Sequence, residues 1–308
     1  MQRLMARSVS DPQVVLVVGA SSGIGAETAA SLASRGHQVF GSSRDPVRVQ
    51  LSGVAAVRLE VTDEGSVREC IAEVIECAGR IDAVVYSAGF YAAGAAEETS
   101  PELMLAQLDA YLVGAHRVVR AVAPSMRERS KGRILFMSSS AAVAAIPFHA
   151  AYSASKAALN HYAEALRYEV EPFGIQIACM EGTGVQTGAA RARRMGEGPI
   201  EAYELARGAA VAAFSKTQSS GPRPVAIARS IVRAIEARNM RPLYPRRVLG
   251  GDAPLAPGAP TADPLSQMVR EVLRSSLDLR LRRFQYTERR GTRQRGRARG
   301  AFDPPGPW

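Results

Sequence analysis

Tyr152 and Lys156 stand four residues apart in the segment Tyr152-Ser153-Ala154-Ser155-Lys156, and a phenol and an ammonium at that spacing on a helix share one face. The pair suits proton transfer. A free phenol, with a pKa near ~10, is a poor acid–base catalyst at neutral pH unless its phenolate is stabilised, and a nearby cation does that. Ala154, Ala157, Ala158, Leu159, Ala163 and Leu166 are helix formers, so the run predicts a helix through the pair. Lys131, Lys156 and Lys216 are the only lysines among 39 basic residues, so a lysine at this position is not part of a general scatter. A Tyr-x-x-x-Lys also arises by chance on exposed helices, and the assignment needs a second element.

That element is a glycine-rich turn far upstream. The apolar run Val14-Val15-Leu16-Val17-Val18 leads into Gly19-Ala20-Ser21-Ser22-Gly23-Ile24-Gly25 and then into a helical pattern with Ala29, Leu32 and Ala33. Glycines let backbone approach phosphates, and the helix beginning near Ile24 offers unpaired N–H groups and the positive end of its dipole. A second strand pattern, residues 38–43, follows, which is the context a dinucleotide-binding unit requires.

With both segments in place the sequence resembles the short-chain dehydrogenase/reductase family over roughly residues 13–250, most closely its steroid- and retinoid-type reductases. The glycine turn is similar to the family's Gly-x-x-x-Gly-x-Gly, with Val18 where threonine is usual. Leu59-Glu60-Val61-Thr62-Asp63 corresponds to the segment that contacts adenine, with Glu60 in place of aspartate. Tyr86-Ser87-Ala88-Gly89 keeps the second half of the usual Asn-Asn-Ala-Gly. Residues 133–139 correspond to the fifth strand, and Ser139, thirteen residues before Tyr152, holds the catalytic serine position.

The resemblance implies that Tyr152 donates a proton to a carbonyl oxygen as a nicotinamide gives hydride. Ser139 would hydrogen-bond that oxygen, and Lys156 would hold the nicotinamide ribose while favouring the phenolate. It also implies a cofactor site of Gly19, Ser21, Ser22, Gly23, Ile24, Gly25, Ser43, Arg44, Glu60, Val61, Ala88, Gly89, Tyr152, Lys156 and Thr187. The family's fourth catalytic member, an asparagine, aligns with Tyr111, whose phenol either displaces the lysine's water relay or replaces it with its own hydroxyl. Glu181-Gly182 stands where Pro-Gly is usual, so the loop leading to Thr187 is less constrained.

The end of the second strand bears on cofactor choice. A carboxylate at Ser43 would bind the 2′-hydroxyl of NAD and repel a 2′-phosphate, whereas serine followed by Arg44 favours the phosphate, so NADP(H) is expected.

The elements that position these residues follow from the pattern. Apolar runs at about 14–19, 38–43, 55–60, 82–87, 133–138 and 175–180 each precede a helical pattern, which argues for a single α/β domain with a Rossmann-like, doubly wound parallel sheet. The break in this rhythm, residues 188–222, corresponds to the family's mobile substrate lid. Ile200, Tyr203, Leu205, Val211 and Phe214 suggest an apolar pocket there, and an Arg191–Arg194 cluster could meet an acidic group or form a solvated face. Residues 1–12 read as an extension. Residues 251–284 read as a proline-rich connection with a final helix, and 285–308 as an arginine-rich disordered tail.

The chain of 308 residues has a formal net charge of +10. Nine arginines from Arg280 onward, against Glu288 and Asp303, carry seven of those ten charges, so the catalytic domain is near neutral. The tail lacks interleaved aromatics and does not read as a nucleic-acid site. No apolar run reaches the ~18 residues of a membrane span. Cys70, Cys77 and Cys179 are odd in number, without metal-ligand spacing, and are expected as reduced thiols in the cytoplasm, Cys70 and Cys77 as core residues of one helix.

The sequence therefore reads as an NADPH-dependent ketoreductase acting on a bulky hydrophobic carbonyl substrate, a homo-oligomer (dimer or tetramer) without membrane association. The arginine bias fits a GC-rich bacterial gene and secondary metabolism. Two alternatives are an NADP(H)-binding protein of this fold without turnover, and enone reduction, dehydration or epimerisation at the same site.

Overall fold

The computed structural model describes residues 11–190 and 192–244. Residues 1–10, Arg191, the final helix and the arginine-rich tail therefore lie outside the described residues. In chain order the elements are β1 (Val14–Val18), α1 (Gly23–Ser34), β2 (Gln38–Ser43), β3 (Val54–Arg58), α2 (Glu64–Ala78), β4 (Ala83–Tyr86) and β5 (Ala92–Ala93). They continue with α3 (Pro101–Leu108), α4 (Gly114–Glu128), β6 (Gly132–Ser139), α5 (Ala150–Val170), β7 (Ile175–Gly182), β8 (Arg194–Met195), α6 (Glu204–Ser220), α7 (Pro224–Glu236) and β9 (Leu243–Tyr244).

Seven strands form one sheet in the order β3-β2-β1-β4-β6-β7-β9, every pair parallel. Parallel strands need crossovers, and the helices supply them, so both sheet faces are covered and the central strands β1 and β4 are apolar and buried along their whole length. Val14, Leu16 and Val18 of β1 enter one core beneath α2, α4 and α5. Val15 and Val17, of alternate parity, enter the other beneath α1 and α7. The strand order reverses between β1 and β4, and the loops at the carboxyl ends of these strands open the crevice where α/β sheets of this kind bind ligands.

Local signals set the helix ends. Asp63 accepts a hydrogen bond from Ser66 N at 3.0 Å and starts α2, which Gly79 ends at φ +74°. Ser100 caps α3 with Pro101 in its first turn. Only Cys70 of the two α2 cysteines is core, its thiol pushed up to about 12 by burial. Cys77 is exposed in the last turn of the helix, contrary to the expectation for it.

The stretch 188–222 is structured. β8 pairs with β5 in a separate two-stranded ribbon, and α6 covers residues 204–220. Buried Glu98 fastens this region: Glu98 accepts from Ala95 N at 2.8 Å, from Ile200 N at 2.9 Å and from the Arg207 guanidinium.

Candidate active site

The turn from β1 into α1 has the backbone that only glycine adopts easily. Gly19 lies at φ +86° and Gly23 at φ +59°. A Cβ on Gly25 would stand 2.1 Å from Gly19 O, so the chain crosses itself too closely for any side chain. Gly19 N and Ala20 N donate to Ser42 O at 3.2 and 2.8 Å and tie the turn to the end of β2. Ser22, the N-cap residue of α1, makes no side-chain cap bond, which leaves the first amides of a 12-residue helix open to an anion. Next to it, Ser42 Oγ is buried without a hydrogen-bond partner. A glycine cradle, an uncapped helix start and an orphaned hydroxyl together fit a dinucleotide phosphate.

At the end of β2, Ser43 is buried while Arg44 is exposed. The sheet register sets Arg58 of β3 opposite Ser43, adding a second guanidinium at this corner that the sequence reading did not identify. Glu60 accepts from Thr62 N and Oγ1 at 3.1 and 2.9 Å, closing the turn after β3, with Val61 buried beside it. Ala88 and Gly89 follow β4, and a Cβ on Gly19 would lie 2.9 Å from Ala88, so the two loops are in contact.

Between α3 and α4 the helix widens into a single π turn, Asp109–Val113. Such bulges push one residue out of register and recur at functional sites. Here the displaced segment carries Tyr111, 6% exposed, with its ring over Gly89; a Cβ on Gly89 would sit 2.1 Å from Tyr111 Cε1. The ring face also covers Lys156, whose Nζ is 3.7 Å from the ring centroid and donates to Met137 O at 2.7 Å. It is the aromatic face of Tyr111, and not its hydroxyl, that faces the lysine.

Tyr152 and Lys156 share the buried face of α5, as their spacing predicts. Burial pushes the Lys156 ammonium down to about 7 and holds the Tyr152 phenol well above its usual value. Lys156 Nζ lies 6.0 Å from the Tyr152 ring centroid, donates to Met137 O and sits against the Tyr111 ring. The groups on the Tyr152 hydroxyl are Ser139, which hydrogen-bonds it, and Tyr91, whose hydroxyl accepts from it at 3.4 Å. Ser139 Oγ also accepts from Ala141 N at 3.1 Å, which fixes it at the end of β6.

One cavity of about 60 Å³ joins Tyr152, Ser139 and Tyr91 with Ile24, Thr187 and Gln218, while Lys156 and Tyr111 are not in its lining. Glycine-turn, strand-end and helix residues thus converge, and of the five apolar lid residues expected to form a pocket only Phe214 is among them. Leu205 is exposed, and Tyr203 instead donates to Glu97 at 2.6 Å and packs on Phe148. Tyr91 and Gln218 were missed. Tyr91 is two residues past the Ala88-Gly89 pair and could have been found from that position, whereas nothing in the sequence around Gln218 marks it.

Glu181, in the place of the usual proline, is 5% exposed, and burial raises its carboxyl pKa. It hydrogen-bonds Asn160, whose Oδ1 accepts from Ser138 Oγ at 2.6 Å. Among the described residues no cluster of His, Cys, Asp and Glu could hold a metal ion, and no helix is long and apolar enough to cross a membrane.

Comparison with known proteins agrees with this arrangement. The family model described as short chain dehydrogenase matches residues 13–198. A 3-ketodihydrosphingosine reductase of Bacteroides thetaiotaomicron is 33% identical over 230 residues, 74% of this chain and 85% of the relative. A short-chain dehydrogenase structure from Streptomyces avermitilis superposes with a TM-score of 0.70 at 28% identity, covering 92% of this chain and 99% of that one. A variant of actinorhodin polyketide ketoreductase with NADPH gives a TM-score of 0.62 at 26% identity, covering 74% and 92%.

Proposed function

The chain belongs to the short-chain dehydrogenase family of oxidoreductases, and from that premise we propose that it is an NADPH-dependent ketoreductase that reduces the carbonyl of a bulky hydrophobic, polyketide- or steroid-like molecule. One observation carries the reading: Ser139 and Tyr152 line the same cavity as Ile24 and Thr187, so proton donor and cofactor-facing loops meet at one point.

In this reading the glycine turn and the start of α1 hold the pyrophosphate, and Arg44 with Ser43 holds the 2′-phosphate. Val61 and Glu60 border the adenine, and Ala88, Gly89 and Thr187 border the nicotinamide end. When bound, the reduced nicotinamide supplies hydride. Ser139 orients the substrate carbonyl oxygen, and Tyr152 delivers a proton to it. Lys156 and Tyr152 bind the nicotinamide ribose, the ammonium with the N–H groups that it does not give to Met137 O. The related NADPH-containing ketoreductase supports the choice of cofactor. A cytoplasmic homo-oligomer, dimer or tetramer, belongs to the same proposal.

A second reading, NADP(H) binding without turnover, is favoured by one feature: Tyr111 covers the lysine that the first reading needs. The two separate by product. The protein is incubated with NADPH and a panel of bulky ketones while reduced-nicotinamide absorbance is followed. The first reading expects the alcohol; binding of NADPH with no product from any ketone supports the second, and a saturated ketone from an enone would indicate chemistry of another type.

A further inference from the structure

Tyr111 is buried against both Lys156 and Tyr152. Lys156 Nζ stands 3.7 Å from its ring centroid, and the ring meets that of Tyr152 edge-on, centroids 5.8 Å apart. A ring face attracts a cation, and the attraction is strongest where water is excluded, as it is around Lys156, 4% exposed.

The π turn that aims this ring is held by side chains from outside it. The Tyr86 hydroxyl donates to Ala110 O at 2.6 Å, and the Arg117 guanidinium donates to Asp109 Oδ1 at 2.7 Å. A Cβ on Gly114, at the end of the turn, would stand 2.6 Å from the Tyr86 hydroxyl, so glycine there makes room for the first of these bonds. Tyr86 and Tyr111 both stand where the family pattern has asparagine, and the carbonyl of the residue before Tyr111 joins them.

Few groups face Lys156. Tyr152 does so from its own helix, Tyr111 from the π turn and Met137 O from β6. From β7 comes Cys179, whose thiol is pushed up to about 12 by burial and is uncharged at neutral pH. The Tyr111 ring and Met137 O are thus the groups that favour an ammonium over an amine, and the ring is the one that a side-chain change can remove. We infer that Tyr111 is a positioning residue for Lys156 that holds it as an ammonium through the ring face and not the hydroxyl, and that Tyr86 aims the ring by fixing Ala110 O. What this does for turnover rests on the ketoreductase reading; the hold on the lysine does not.

The test is nuclear magnetic resonance of the full chain with ¹³C-labelled lysine, free of substrate. Lys131, Lys156 and Lys216 are its only lysines, so three signals are expected, and Lys156→Met identifies the one that matters. In the native protein the Lys156 ε-protons should be shifted upfield by the ring, with a titration midpoint near 7. Tyr111→Phe keeps the face and should keep both the shift and the midpoint. Tyr111→Leu should lose the shift and lower the midpoint by about one pH unit or more, and Tyr86→Phe should lose much of the shift. A native signal without the upfield shift, a midpoint unchanged in Tyr111→Leu, or a midpoint that falls as far in Tyr111→Phe as in Tyr111→Leu overturns the inference. The native shift retained in Tyr86→Phe overturns the part given to Tyr86. The expected midpoints in a protein that reduces no ketone uphold the inference and count against the ketoreductase reading alone.

Discussion

Lys156 is the side chain whose chemistry depends most on its surroundings. Its pKa, 10.5 in water, falls to about 7 because burial strips the ammonium of water. Below pH 7 the group is charged in the folded and the unfolded chain, and the burial penalty is fully present. Between pH 7 and 10.5 the unfolded chain binds the additional proton, so stability rises with pH. Denaturant titrations at pH 6.5 and pH 9 should show the native protein gaining on the order of 2 kcal/mol relative to Lys156→Met; parallel curves would mean the ammonium is not buried as described. Arg44 is the opposite case, exposed with no partner of its own among the described residues. Arg44→Ala should raise the dissociation constant for NADPH by about tenfold or more and leave NADH nearly unaffected. Equal weakening of both would remove Arg44 from phosphate recognition.

At the scale of elements, the strands were legible because short apolar runs such as β1 and β4 alternate with helical patterns along the chain. The glycine turn was legible because Gly19 and Gly23 need left-handed backbone and Gly25 a close crossing. The π turn was not, since widening by one residue leaves the composition of residues 108–114 helical. That single turn decides where Tyr111 points. β9 was missed because two residues carry no periodicity, and it joins the sheet only through its pairing with β7. In the lid the apolar residues were read as pocket, yet the segment is held by a polar anchor, buried Glu98 with Ala95 N, Ile200 N and Arg207. Glu98→Gln should therefore loosen residues 194–207, with faster limited proteolysis there and a several-fold higher KM at little change in kcat. An unchanged digestion pattern would show that Glu98 does not hold the lid.

Across the whole molecule, the two cores lie on opposite faces of one sheet, and every candidate site residue projects from its carboxyl edge or from the helices beyond it. Sequence spacing placed Ser139, Tyr152 and the glycine turn together because the fold delivers strand ends to one crevice. It did not reveal Tyr91 and Gln218, whose meeting depends on packing between residues more than a hundred positions apart. The charge that dominates the composition belongs to residues 280–308, outside the described residues. The central claim is that the Tyr152 hydroxyl is the proton donor of a working reductase, and the most direct measurement is ketone-dependent NADPH oxidation by the native protein and by Tyr152→Phe. The phenylalanine keeps the ring contacts with Tyr91 and Tyr111 and removes only the hydroxyl. Native turnover with a loss of about 100-fold or more in the variant is predicted; a variant that retains most of the native rate would contradict the account.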